Sequence, residues 1–197
     1  VRRFKSALAH EPNSVQILNN IGLAYARNQD YVSAYEWYQK AHQLNPQDLE
    51  TLFSLAWVER KRQRYANAKQ LFTEVLDIEP GHTKALWLLA DVLQKLNESE
   101  GAIRRLEMLI RIQPQSADGH ISLAQCMEAT KQYTRAAQIY NHVLQNVAPG
   151  RPDVHFSLGK VYFLSKQYKQ ALSQFERVPD NDSRSFEART YGAKACR

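Results

Sequence analysis

Apolar residues along this chain repeat on two scales. Locally they fall three and four apart, as on one face of an α-helix; Leu18, Ile21, Gly22 and Tyr25 form one such set. A polar break, Arg27-Asn28-Gln29-Asp30, separates it from a second set that includes Ala34 and Tyr38. Each pair of patterns predicts a helical hairpin, the first spanning about Ser14 to Asn28 and Tyr31 to Leu44. On the longer scale the pair returns every 34 residues. Pro12, Pro46, Pro80 and Pro114 hold that spacing, and Ala34, Ala68, Ala102 and Ala136 keep step with it. Ala171 follows after a one-residue slip. Tyr31, Tyr65, Ser99, Tyr133 and Tyr168 make a further column. Such a period marks one small unit copied and stacked. The predicted fold is therefore all-α, with complete units at 15–48, 49–82, 83–116, 117–151 and 152–185 and partial units at 1–14 and 186–197.

The recurrent residues have physical tasks. Ile21, Leu55, Leu89, Leu123 and Leu158 supply a large apolar knob in each first helix. The next residue is always small: Gly22, Ala56, Ala90, Ala124, Gly159. A missing side chain there lets the paired helix approach closely. Three residues further on stand Tyr25, Glu59, Leu93, Met127 and Tyr162. In each second helix the alanine column also permits close approach, and Tyr38, Phe72, Leu106, Tyr140 and Phe175 fill the next layer four residues later. The prolines cannot continue a helix and open the connection to the next unit.

These residues carry a resemblance to the tetratricopeptide repeat (TPR) family. Its pattern is a 34-residue helix–turn–helix reading W-x2-L-G-x2-Y, then A-x3-F, then P. The first unit reads Leu18, Ile21, Gly22, Tyr25, Ala34, Tyr38, Pro46, and the fifth His155, Leu158, Gly159, Tyr162, Ala171, Phe175. The departures are Leu18, Leu52, Leu86, His120 and His155 at the tryptophan position, Glu59 in the aromatic column and Ser99 in the tyrosine column. The resemblance covers nearly the whole chain and implies a right-handed α-solenoid superhelix forming a single array.

Phe4 and Ala7 fit the latter half of a second helix, and Phe186 to Arg197 a first helix, so the chain reads as a fragment of a longer array. The stretch Val147-Ala148-Pro149-Gly150-Arg151-Pro152 is expected to carry the one extra residue between the fourth and fifth units.

In arrays of that family first helices line a concave face. Register then gives the expected partner-binding residues: Asn19, Asn20, Phe53, Trp57, Arg60, Lys84, Trp87, Leu88, Ile121, Phe156 and Lys160. Phe53, Trp57 and Trp87 stand out because hairpin packing does not require them, and aromatic residues make effective interface anchors. Phe156 and Phe163 would extend the patch, with Arg60, Lys84, Lys95 and Lys160 surrounding it with positive charge. Padding between neighbouring first helices is the competing explanation of these aromatics. Two family binding modes do not fit. The carboxylate clamp of chaperone-binding members needs Lys, Asn, Asn, Lys and Arg, where this chain has Asn19, Leu23, Ser54, Lys84 and Leu88. The asparagine ladder of the sugar-transferase-linked arrays keeps only Asn20, with Ser54, Leu88, Ser122 and Ser157 at the other rungs.

Composition narrows the remaining classes. With 44% hydrophobic and 23% charged residues, the chain falls among ordered globular proteins. No apolar run reaches the roughly 20 residues of a membrane span. The net charge of +6 comes from basic residues interleaved with 20 acidic ones, which reads as a solvated surface. Two cysteines, Cys126 and Cys196, read as unpaired thiols, Cys126 buried beside a small-residue position. The cytoplasm is the default compartment. No phosphate loop, metal-ligand spacing or nucleophile pattern occurs, and no cofactor is expected. His120 and His155 hold corresponding helix positions and read as packing residues. The expected function is a non-catalytic scaffold for protein–protein interaction, with a peptide or partner helix in the groove. Self-assembly and a regulatory array attached to a larger enzyme are the alternatives. RNA binding ranks below them, because aromatic and basic residues do not alternate along one face.

Overall fold

The computed structural model describes Ser6 and residues 8–195; Phe4, Ala7 and Cys196 lie outside that set. The described residues fold into helices without a strand: α1 (Val15–Arg27), α2 (Tyr31–Leu44), α3 (Leu49–Lys61), α4 (Tyr65–Ile78), α5 (Thr83–Lys95), α6 (Ser99–Ile112), α7 (Ala117–Ala129), α8 (Tyr133–His142), α9 (Pro152–Leu164), α10 (Tyr168–Phe175) and α11 (Ser185–Ala195). The chain divides into two compact units, Val1–Glu98 and Ser99–Arg197, the first holding α1 to α5 and the second α6 to α11.

Helix starts follow from polar residues at fixed register. Ser14 Oγ, Asp48 Oδ2, His82 Nδ1 and Ser116 Oγ each accept from the backbone N–H three residues on, at 3.4, 2.9, 3.1 and 3.1 Å. These caps satisfy donors that no helical carbonyl can reach. The turn inside each hairpin places one residue in the left-handed region: Gln29, Gln63, Lys131 and Lys166, with Asn97 at the corresponding point after α5. The N–H three residues past the helix closes back on it, as in Asp30 N to Tyr25 O at 3.0 Å. That geometry satisfies end carbonyls and reverses the chain.

Packing bears out the roles read from the columns. Ile21, Leu55, Leu89 and Leu158 are buried, as are Ala34, Ala68, Ala102, Ala136 and Ala171. A Cβ added to Gly22 would lie 2.7 Å from the Tyr38 ring, and one added to Gly159 would lie 2.6 Å from the Phe175 ring. The small residue is thus a seat for the aromatic ring of its own hairpin partner. Within the first unit α1 packs on α2, α2 on α3, α3 on α4 and α4 on α5, and the first helices α1, α3 and α5 also touch in sequence. The second unit repeats this logic, and α9 meets α11 in the same way.

One expectation needs correction. The extra residue is not absorbed at 147–152 but one turn earlier, where α8 continues as a π-helical segment, Val143–Val147. The Ala148 N–H reaches Val143 O at 2.8 Å, an i→i−5 bond. A π turn takes in one residue without ending the helix. Glu59, the departure in the aromatic column, is fully buried and carries an ion pair: Oε1 accepts from Arg62 Nη1 at 2.6 Å and Oε2 from Asn67 Nδ2 at 2.9 Å.

Candidate partner-binding site

Leu23, Ala26 and Arg27 fall three and four apart on α1, and Phe53, Ser54 and Trp57 do the same on α3. Periodicity therefore turns each set to one face. The two faces meet around an apolar pocket of about 300 Å³, with Tyr38 of α2 as the remaining wall. Trp57 is held by an edge contact to Tyr31, ring centroids 5.8 Å apart, beside the buried Ala34, Tyr38 and Leu55. Phe53 stacks on His82 at 5.0 Å and meets Phe72 edge-on at 5.8 Å. Both aromatics are thus fixed in place before any partner arrives. Burial pushes the Tyr38 phenol above its ordinary range. The Ser54 side chain and the Arg27 charge offset part of that rise, and Glu50 adds to it. The pocket wall stays neutral at physiological pH.

The same register positions look different elsewhere. One repeat on, Ala26 becomes Arg60 and Trp57 becomes Asp91, and these join α3 to α5 by an ion pair of 2.6 Å. In the second unit the equivalents are Glu128 and Lys160, which pair at 2.7 Å between α7 and α9. The polarity is reversed, but the link is the same. Around Glu128 and Lys160 lies a recess of about 330 Å³, lined also by Gln125, Ala129, Phe156, Ser157 and Leu164. Its lining carries that ion pair, where the α1–α3 pocket has Ala26 and Trp57. Alanine at position 26 leaves that space open, and tryptophan at position 57 walls it.

The expected binding residues divide accordingly. Phe53 and Trp57 meet in the pocket. Trp87 is 45% exposed on α5 and is not part of its lining. Lys84 is exposed on α5, and Asn20 is half-buried on α1. Asn19, Leu88 and Ile121 are buried, so they are not the open surface expected from register. Asn19 instead ties α1 to α3, its Nδ2 donating to Thr51 Oγ1 at 2.9 Å and to Asp48 Oδ2 at 3.3 Å. Arg60 and Lys160 are neutralised by their ion pairs and do not form the expected positive surround. Phe156 and Phe163 belong to the second unit and pack on Tyr191 of α11 at 6.4 and 5.2 Å. Padding between first helices, the competing explanation, describes these two. Register alone missed Ala26, Arg27 and Tyr38 as pocket walls. A signal existed for Ala26, since its column carries charge at Arg60 and Glu128.

Among the described residues no group of three His, Cys, Asp or Glu side chains is placed to hold a metal ion. No described helix is long and apolar enough to cross a membrane. Cys126 is buried and is not part of a disulfide. His120 and His155 are buried as their register suggests, with Nδ1 2.9 Å from Ser116 O and 2.8 Å from Gln174 Oε1 respectively.

Family models for the tetratricopeptide repeat match residues 59–126 and 128–193, and a second such model matches 13–81. No curated protein matches the chain. Among solved structures, the chain resembles YrrB, described as a TPR protein with an unusual peptide-binding site. Identity is 18% over 97% of each chain, with a TM-score of 0.82. It also resembles MamA 41-end from Desulfovibrio magneticus RS-1, with 20% identity, 83% of this chain and 92% of that one covered, and a TM-score of 0.78. For pilF of Pseudomonas aeruginosa the figures are 17% identity, 92% and 88% coverage, and 0.70. At these identities the likenesses establish the fold, an all-α solenoid of stacked hairpins.

Proposed function

The chain belongs to the tetratricopeptide repeat family, and from that premise we propose that it is a non-catalytic scaffold that holds a peptide or partner helix along its first helices. The supporting observation is the apolar pocket between α1 and α3. Its walls are pre-positioned aromatics, and ordered anchors reduce the entropy lost on binding. The position that the α3–α5 and α7–α9 junctions seal with an ion pair is left open there. That YrrB is described as having a peptide-binding site agrees with this use of the fold. A single array fits a repeat whose period continues through both units with one added residue at Val143–Val147.

The test is capture of partners by the intact protein and by Trp57→Ala/Trp87→Ala, with circular dichroism confirming that the helices survive. Loss of the captured set with Trp57→Ala supports the pocket; retention of every partner by the double variant removes it. A second reading, self-association, draws on α11. Phe186 there is 79% exposed. The space beside it is lined by Arg189, Thr190, Ala193 and Lys194. Sedimentation that depends on concentration, and ceases to do so in Phe186→Ser, would support it.

A further inference from the structure

We propose that the α1–α3 pocket reads an acidic peptide: one bulky apolar side chain seats between Leu23, Phe53 and Trp57, and carboxylates on one flank are held by Arg27 and Lys61. This rests on the reading that the pocket is where a partner anchors.

The volume comes first. About 300 Å³ lies at the lower end of ligand pockets, so it suits one large side chain better than an extended apolar ligand. Charge comes second. Arg27 and Lys61 hold the same register position one repeat apart, in the last turns of α1 and α3. Both are exposed, and Arg27 lines the pocket itself. Lys61 Nζ lies 5.2 Å from the centroid of the Trp57 ring that forms the wall. Neither makes an ion pair among the described residues. Their neighbours do: Arg60 is held by Asp91 and Arg62 by Glu59. The cations beside the pocket are therefore ones left for an outside carboxylate, and Lys61, lying over the aromatic wall, is placed to meet an acid next to a seated side chain.

The second unit supplies an internal contrast. Its recess occupies the same register, yet Ala129 and Leu164 stand where Arg27 and Lys61 would be, and its interior holds Glu128 and Lys160. One site is lined mainly by apolar side chains with cations beside it; the other carries an ion pair in its lining and has apolar residues where those cations would stand. Lys95 continues the column in the last turn of α5, where a cation suits a helix C-terminus, so what is particular to this site is that two such cations flank an apolar pocket. Direction also follows. Glu50 stands in the first turn of α3 and acts on Tyr38 from the end opposite Lys61. Acidic residues thus belong on the side of Arg27 and Lys61, and the flank toward Glu50 is neutral or basic.

The experiment is a selection of random displayed peptides on the intact protein. The selected sequence is then titrated as a fluorescein-labelled synthetic peptide by anisotropy at several salt concentrations. The expected peptides share one Leu, Ile, Phe or Trp with Asp or Glu on one flank. Arg27→Gln/Lys61→Gln, both at exposed positions, weakens binding by about tenfold or more and flattens the salt dependence. Changing the peptide's acids to amides loses the same factor and makes it indifferent to that double variant. Selected peptides with neutral or basic flanks that still depend on Leu23 and Trp57 overturn acid recognition and leave the anchor site standing. So does wild-type affinity of Arg27→Gln/Lys61→Gln for an acidic peptide. Peptides unaffected by both Trp57→Ala and the surface change Leu23→Gln remove the anchor site as well. Self-association abolished by Leu23→Gln would give the pocket to a second copy and likewise overturn the proposal.

Discussion

Glu59 offers the most discriminating perturbation of the fold beneath the pocket. Its side chain is 1% exposed, and both oxygens are engaged, by Arg62 at 2.6 Å and Asn67 at 2.9 Å. Arg62 also lies over the Tyr35 ring, 4.6 Å from its centroid. One carboxylate thereby joins α3, the turn after it and the start of α4, and through Arg62 reaches α2, the helix that supplies Tyr38 to the pocket. Glu59→Ala removes the charge and leaves Arg62, only 15% exposed, without its partner. Breaking a buried pair by deleting one member costs roughly 3–5 kcal/mol. Asn67 is exposed and turns to water at little cost, so the value falls toward the lower end, about 3 kcal/mol with the cavity included.

Glu59→Met is the informative control. Met127 and Leu93 occupy this register position in other repeats, and both are buried there. Methionine keeps the volume, and the remaining cost is that of an Arg62 that must find water, about 1–2 kcal/mol. Arg62→Ala in the Glu59→Met background should then be nearly silent, whereas in the native protein it exposes an unpaired buried carboxylate and costs about as much as Glu59→Ala. The assay is urea unfolding followed by circular dichroism of the native protein, Glu59→Met, Arg62→Ala and their double variant, read as a double-mutant cycle, with Glu59→Ala measured beside them. A loss below about 1 kcal/mol for Glu59→Ala, or equal losses for the alanine and methionine variants, would refute the assignment of the pair as the structural link.

The other expectations concern single features. Gly159→Ala drives a methyl group into the Phe175 ring at 2.6 Å and should cost about 1–3 kcal/mol, measured by the same unfolding; a neutral result would mean the ring moves freely. Lys166→Gly relieves a left-handed residue at φ 62° and should stabilise by about 0.5–1 kcal/mol, seen as a higher midpoint. Asp48 caps α3; burial works to raise its carboxyl, but hydrogen bonds from Thr51 and Asn19 outweigh this and hold it below the ordinary range. A carboxyl depressed on folding contributes stability that is fully present above its unfolded value, near 4. That stability is lost as pH falls through the lower folded value. Asp48→Asn, which still caps but does not titrate, should therefore flatten part of the acid limb of a stability–pH profile, and an unchanged limb would count against the cap's share in it.

The hairpins were legible because their packing recurs. Gly22 and Gly159 meet Tyr38 and Phe175 in one geometry, so the pairing appears in the sequence as two columns in step. The site was legible only where a residue stood off every column. Phe53 and Trp57 did, and they meet in the pocket. By the same test Leu88 and Ile121 also stood off, yet they are buried, because the columns describe contacts within a hairpin and omit those between neighbouring first helices. Contacts of that second kind join residues 31 or 32 apart, as Arg60 to Asp91 and Glu128 to Lys160. Read singly, those four charges look like a solvated surface. Read as pairs at one register with reversed polarity, they identify a junction position that Ala26 and Trp57 occupy without charge. The π segment at Val143–Val147 bears on the same rule. Prolines and a glycine drew attention to the loop, but an extra residue within the helix leaves Ala136 and Tyr140 in register before it and Val154 and Leu158 after it, all four buried. Glu128 and Lys160 can then pair across a junction that is one residue longer. The first-helix face thus keeps its period through the slip, and what distinguishes the α1–α3 pocket is side-chain choice on a backbone the other junctions share.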